Sequence, residues 1–264
     1  VTMMVNAINS FKVAISRETK IGIDLEFLLG TLFEPMIYVL LFGPLMGKLI
    51  GDLEVNGMRI SYLAFMFPGV LTLVSINQGF RGATTFIQDR FYGGLETLFT
   101  LPVPRTVLFM AKILSACIRA IIAMIVLSIL TLIIAKDASI TLTGFIGSLL
   151  VNSLLVVMLS SFMIYLLSKS QNPNLPLAIS GIVILPMMFL STVFYPETVF
   201  ESSKVLSILV SINPMTHASN LVRSFIYGTH LQHSTMVVSL AYLLVLAFIG
   251  MLIGLRGFKA ALEK

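Results

Sequence analysis

The sequence predicts an all-α polytopic membrane protein: six transmembrane helices, an N-terminal interfacial helix, a cytosolic helix between spans two and three, and short re-entrant helices between spans five and six. Three observations carry this. The mean hydropathy is +1.00. Only 11% of the 264 residues are charged, less than half of the roughly 25% usual in a soluble domain. Apolar runs of about 20 residues recur along the chain without period-two alternation, a pattern for membrane helices rather than barrel strands. A soluble core and a disordered chain are both excluded. The net charge of +5 comes from basic residues scattered through loops, with no dense stripe, so no nucleic-acid partner is expected. One cysteine, Cys117, leaves no internal disulfide framework.

Residues 1–26 open the chain. Val5, Ile8, Phe11 and Ile15 recur at three- and four-residue steps, with Lys12, Arg17 and Lys20 between or after them. That is an amphipathic helix suited to an anionic membrane surface, with a solvated helix as the alternative. Spans are expected at 27–46, 61–80, 113–135, 142–167, 175–194 and 236–255. Each is long enough for the roughly 30 Å hydrocarbon layer. Gly43 and Gly47 in the first, and Gly250 and Gly254 in the last, permit close helix approach within one subunit or between two.

Between spans two and three lies a charged amphipathic island, Asp89 to Arg105. Phe91, Leu95, Leu98 and Phe99 fall at helical spacing, while Arg90, Glu96 and Arg105 make a polar face. Such a segment lies on a bilayer rather than crossing it, and Pro102 and Pro104 stop it before the next span. Between spans five and six, Ser202 and Ser203 precede a short apolar face. Asn213-Pro214 then reads as an N-cap followed by proline at the first helical position, and Gly228 as the end of that second helix. The pair suits a re-entrant hairpin at 199–228; a hairpin lying flat on the outer surface is the alternative.

Lysine and arginine are unevenly placed. The side holding both termini and the island has twelve, the other five. The positive-inside rule therefore puts the termini and the island in the cytoplasm of a multi-pass cell-membrane protein.

Several stretches resemble the membrane subunit of type-2 ABC exporters. Tyr92-Gly93-Gly94-Leu95-Glu96-Thr97-Leu98, followed by Leu101-Pro102-Val103-Pro104-Arg105 and Lys112, is similar to a family run of the form G-T-L-E-x-L … P-V-x-R … G-K. Here Gly94 replaces the usual small residue before Leu-Glu, and Ala111 a common glycine. Ile212-Asn213-Pro214-Met215-Thr216 leading to Arg223 is similar to a second family stretch, and Glu34-Pro35 with Leu41-Phe42-Gly43 to a third, in which a neutral amide usually precedes the proline. The resemblance covers nearly the whole chain. It implies two permease subunits, a homodimer or a heterodimer, with two ABC ATPase subunits docked on a coupling helix, here residues 89–101. It also implies an amphipathic drug, antibiotic or lipid-like cargo; a polysaccharide or glycolipid is the alternative. Contact with the ATPase would fall to Arg90, Tyr92, Gly93, Gly94, Leu95, Glu96, Leu98, Pro102 and Arg105. ATP and Mg would be bound by the partner, with no cofactor in this chain.

The residues point the same way independently. No Gly-x-x-x-x-Gly-Lys-Ser/Thr phosphate loop occurs, so this polypeptide is not its own ATPase; that it is the permease subunit is what the resemblance implies. Of two other classes, a gradient-driven carrier would show inverted repeats and ionisable midplane residues, and a membrane-bound lipid enzyme a cluster of His, Asp or Glu at one depth. No repeat relates residues 1–132 to 133–264. Glu34 stands seven residues into the first span, about 10 Å deep, where a carboxylate is costly unless paired or wet. It lines a cargo path, or it pairs with Arg81 or Arg119. Phe42, Met66, Phe189 and Phe194 are the apolar candidates for that path, with packing as the alternative. Lys112 and Arg119, on one helical face, are expected to snorkel to the inner interface. His217, His230 and His233 lack metal-ligand spacing.

Overall fold

The computed structural model describes residues 15–16, 25–55, 58–92, 104–134, 140–228 and 233–261. Nearly all of the expected N-terminal interfacial helix, and the island from Gly93 to Val103, lie outside these residues. The first span is α1 (Leu25–Ile37), a π-helical turn (Tyr38–Phe42) and α2 (Gly43–Ile50). A hairpin follows, β1 (Asp52–Val55) antiparallel to β2 (Met58–Ser61), in register Asp52↔Ser61 to Val55↔Met58. An Arg59–Asp52 ion pair at 3.3 Å lies across it. This hairpin is a small departure from an otherwise all-helical fold.

Two 30-residue helices come next, α3 (Tyr62–Phe91) and α4 (Arg105–Ile134). Then come α5 (Leu142–Leu167) and α6 (Leu175–Phe189), followed by a 3-10 turn (Glu197–Val199). The last three are α7 (Lys204–Ile212), α8 (Pro214–Tyr227) and α9 (His233–Ala261). Among the described residues, five helical segments are long and apolar enough to cross a membrane, or six if α7 and α8 count as one broken span bent by 71°. The protein is a multi-pass membrane protein.

The hub is α3, which packs against α1, α4, α5, α6 and α8. Ser61 caps it by accepting a hydrogen bond from the Ala64 N–H at 3.3 Å. Its fully buried face includes Phe67, Val70, Leu71, Val74 and Ile76. Close approach is possible because glycines lie at the crossings. A Cβ on Gly69 would sit 2.7 Å from Val193 Cα, and one on Gly79 2.8 Å from Leu159 Cβ. The Ser160 hydroxyl donates to the Gly79 carbonyl at 3.0 Å, sealing the α3–α5 crossing. Large apolar side chains such as Leu45, Leu49, Val238 and Phe248 remain exposed, the surface a bilayer covers.

Helix ends differ from the hydropathy spans. α3 runs on to Phe91, and α4 begins at Arg105, eight residues before the apolar run expected at 113. Both helices thus project past their apolar stretches. α6 stops at Phe189, short of the 194 expected, because the chain turns at Ser191. The Ser191 hydroxyl donates to the Met188 carbonyl at 2.7 Å. Fifteen residues make a helix of only about 22 Å at 1.5 Å per residue. The glycine pairs serve contacts inside this chain: a Cβ on Gly254 would meet Ser161 O at 2.6 Å.

Candidate functional site: a polar chamber beneath an aromatic layer

The site forms where the first span leaves regular geometry. Pro35 has no N–H to donate and interrupts the helical ladder. Three residues on, the helix widens into the π-helical turn, where the Gly43 N–H donates to the Tyr38 carbonyl five residues back. Such turns occur often at functional sites. Gly43 is needed there: a Cβ would lie 2.6 Å from Leu63 Cδ1 and 3.1 Å from Met66 Cε. The widened turn is thus pressed onto α3.

That turn delivers Tyr38 and Phe42 into an aromatic layer with Tyr62, Phe189 and Phe194. Ring centroids are 5.0 Å apart for Tyr38–Phe194, 5.5 Å for Phe42–Phe194, 6.4 Å for Phe42–Tyr62 and 6.2 Å for Phe189–Phe194. These are tilted and edge-on pairs of the favourable kind. The Tyr62 hydroxyl donates to the Phe194 carbonyl at 3.1 Å, satisfying an acceptor in the turn that follows α6. The Tyr38 hydroxyl lies 3.7 Å from Met188 Sδ and donates to Glu34 Oε1 at 3.3 Å.

One helical turn toward the N-terminus, the aromatic layer gives way to a polar chamber of about 350 Å³ between α1, α3 and α6. Its polar wall holds Thr31, Glu34, Asn77, Gln78, Arg81 and Ser180. Thr31 Oγ1 accepts from Gln78 Nε2 at 3.2 Å and from Arg81 Nη1 at 3.1 Å. Gln78 is fully buried, and its Oε1 has no hydrogen-bond partner. Glu34 opens onto the chamber and makes no ion pair among the described residues. A buried polar atom is costly unless satisfied, and Gln78 Oε1 is such an atom on this wall.

Of the path residues expected from sequence, Glu34 lies on the chamber wall, while Phe42, Phe189 and Phe194 meet in the aromatic layer. Phe189 is half exposed and Phe194 almost fully buried. Met66 is completely buried against Gly43. Tyr38, Tyr62, Thr31, Asn77 and Gln78 were not legible as site residues. The available signal was Gln78 with Arg81, three apart and hence on one helical face, inside an apolar run.

At the other end of α3, Lys112 does not snorkel. It is 2% exposed, and its Nζ lies 2.5 Å from Asp89 Oδ2. The early start of α4 puts Lys112 two turns inside the bundle, facing α3. Arg119 is likewise buried and donates to Ser115 Oγ at 3.5 Å. Arg90 donates to the Ser168 carbonyl at 2.7 Å and the Ser170 carbonyl at 3.3 Å, reaching the end of α5. Tyr92 is exposed, and Arg105 stands exposed at the first position of α4. Gly93, Gly94, Leu95, Glu96, Leu98 and Pro102 lie outside the described residues.

A third polar knot holds α8. Asn213 Oδ1 accepts from the Met215 N–H at 2.9 Å, Pro214 takes the first helical position, and Gly228 closes the helix at φ +63°. Arg223, 3% exposed, donates to Phe65 O from Nε (3.2 Å) and Nη2 (3.1 Å), to Thr192 O at 2.8 Å and to Asn220 Oδ1 at 2.8 Å. Its guanidinium stacks 4.0 Å from the Phe65 ring. His217 is a packing residue, bonded to Ser239 Oγ and the Ser211 carbonyl.

A membrane-crossing helical bundle that keeps a polar chamber beside an aromatic layer is compatible with a permease. The chain belongs to the ABC-2 type transporter family, whose model matches residues 9–227. It is the transmembrane subunit of an ABC transporter. The chain is similar to the daunorubicin resistance ABC transporter permease protein DrrB1 of Streptomyces coeruleorubidus, 26% identical over 203 residues, which is 76% of this chain and 69% of that one. It is also similar to the inner membrane transport permease YadH of Escherichia coli K12, 32% identical over 83 residues, or 30% of this chain and 31% of YadH. YadH of Shigella flexneri matches to the same extent.

Proposed function

We propose that the chain is the permease subunit of an ABC exporter, moving an amphipathic drug, antibiotic or lipid-like cargo out of the cytoplasm or the inner leaflet. The observation that carries this is the chamber itself. A polar pocket beside clustered aromatic rings, reached from between membrane helices, suits a molecule with one polar end and one apolar end. The name of DrrB1, which concerns resistance to a drug, supports cargo of that kind.

In this reading two copies of the chain face each other and two ABC ATPase subunits dock from the cytoplasm, binding ATP and Mg. The protein sits in the cell membrane with both termini cytoplasmic. Residues 89–101, the first three of which close α3, serve as the coupling segment. Asp89–Lys112 and Arg90–Ser168/Ser170 tie the end of α3 to α4 and to the end of α5, so a push on the segment that continues α3 reaches the bundle through two polar contacts.

The test is purification of the tagged full chain from its own host under mild detergent. An ATP-hydrolysing ABC subunit should accompany it and be lost from Glu96→Ala. Hydrolysis in the reconstituted complex should rise with amphipathic cargo. Cargo movement by the permease alone would overturn the reading in favour of a gradient-driven carrier.

A further inference from the structure

We propose that the chamber between α1, α3 and α6 receives a protonated amine of the cargo, its N–H donors shared by the Glu34 carboxylate and the Gln78 side-chain carbonyl. This rests on the reading of the chamber as the cargo path.

The hydrogen-bond inventory leads there. An ionised carboxylate offers about four acceptor directions. Glu34 uses one, for the Tyr38 hydroxyl at 3.3 Å. Gln78 spends its amide N–H on Thr31 Oγ1, and its Oε1 has no partner although the residue is fully buried. Thr31 stands between the two: it takes the Gln78 hydrogen bond, and Glu34 follows it by three residues on the same helical face. The unfilled capacity on this wall is therefore acceptor capacity, beside a negative charge. A ligand that fills it brings N–H donors and a positive charge, which together describe an ammonium group.

Arg81 is the other charge on the wall, and it decides the orientation. It lies one turn from Gln78 toward the Phe91 end of α3, is exposed, and already donates to Thr31. Glu34 is exposed as Arg81 is, so sign decides: the carboxylate attracts an ammonium and the guanidinium repels it. The amine therefore goes to Glu34. The apolar body lies against Tyr38 and Phe189, on the side of Glu34 away from Thr31.

The experiment uses the full chain with its ATPase partner in lipid nanodiscs. The probes are four dansyl-labelled alkyl chains of equal length, ending in a primary ammonium, a trimethylammonium, an alcohol or a carboxylate. Equilibrium binding is read by dansyl fluorescence. The primary ammonium should bind at least roughly tenfold more tightly than the alcohol, the factor a charge-assisted hydrogen bond supplies. Trimethylammonium, charged but without N–H, should lose most of that gain. Glu34→Gln and Gln78→Leu should each abolish the preference, and Glu34→Asp should keep part of it. Glu34→Asp also separates loss of the charge from loss of the fold. Equal binding of ammonium and alcohol, or an unchanged preference in Glu34→Gln, overturns the proposal. If all four probes then still protect a cysteine placed at Ser180 from maleimide, the cargo path stands and only the amine is wrong. If none of them protects it, the cargo path fails and the amine with it.

Discussion

The Lys112 ammonium lies 2.5 Å from the Asp89 carboxylate and joins the start of α4 to the end of α3, on either side of the segment proposed to meet the ATPase. The two partners are unequally buried, with side-chain exposures of 2% for Lys112 and 21% for Asp89.

That inequality sets an order of damage. Asp89→Asn takes the carboxylate from a buried ammonium and should cost about 2–3 kcal/mol, below the full range for a wholly buried pair because Asp89 is partly wet. Lys112→Met leaves behind a carboxylate that water can reach and should cost less. Cys117 is buried in α4, so melting followed with a thiol-reactive dye reads both variants. Equal midpoints for the two would show that the burial difference has no energetic weight.

Arg223 serves two backbone carbonyls at once, Phe65 O and Thr192 O. Arg223→Lys keeps the charge but not the planar fork that reaches both. It should lower stability by about 2–3 kcal/mol, the scale of a buried carbonyl left unsatisfied. The same thiol-dye melt measures it. A midpoint within a degree of the unsubstituted protein would mean that α8 is held by its apolar face alone.

The π-helical turn behaves as one residue inserted into an α-helix. Deleting Leu41, which is exposed, should restore a regular helix and rotate Glu34 and Tyr38 about 100° relative to Gly43. Folding and basal ATP hydrolysis of the complex should survive, while stimulation by cargo disappears. Persistent stimulation would show that the widened turn does not set the chamber geometry.

Gly69 and Gly181 make a matched pair. A Cβ on Gly69 would be 2.7 Å from Val193 Cα, whereas nothing lies within 4 Å of one on Gly181. Gly69→Ala should destabilise by about 1–3 kcal/mol through overpacking. Gly181→Ala, inside α6 with open space around it, should stabilise by about 0.5–1 kcal/mol. Parallel melts with the thiol dye decide the signs.

Much of the fold was legible in residue order. The Asn213-Pro214 start and Gly228 end of α8 stand where their chemistry puts them, because caps and turns are local. The β-hairpin was missed although Asn56-Gly57 between short apolar stretches is a strong hairpin signal; the hydropathy of the neighbouring spans masked it. The ends of α3, α4 and α6 were misjudged for a different reason. Hydropathy marks where lipid begins, whereas a helix continues as long as its backbone bonds are served, as α3 does to Phe91.

The site was legible only in part. Glu34 stood out because a carboxylate in an apolar run is expensive. Gln78, Thr31 and Tyr62 did not, since neutral polar residues in membrane helices are common.

Composition and apolar run length determined by themselves that this chain is a helical membrane protein, because burial in lipid depends on each segment's own polarity. Short motifs in order added the family. Only the tertiary structure decided which polar groups meet. Gln78 finds Thr31 across 47 residues, and Arg223 finds Phe65 across 158. Those meetings depend on how each helix is rotated about its axis. A helix such as α3, apolar on nearly every side, carries almost no record of that rotation in its sequence.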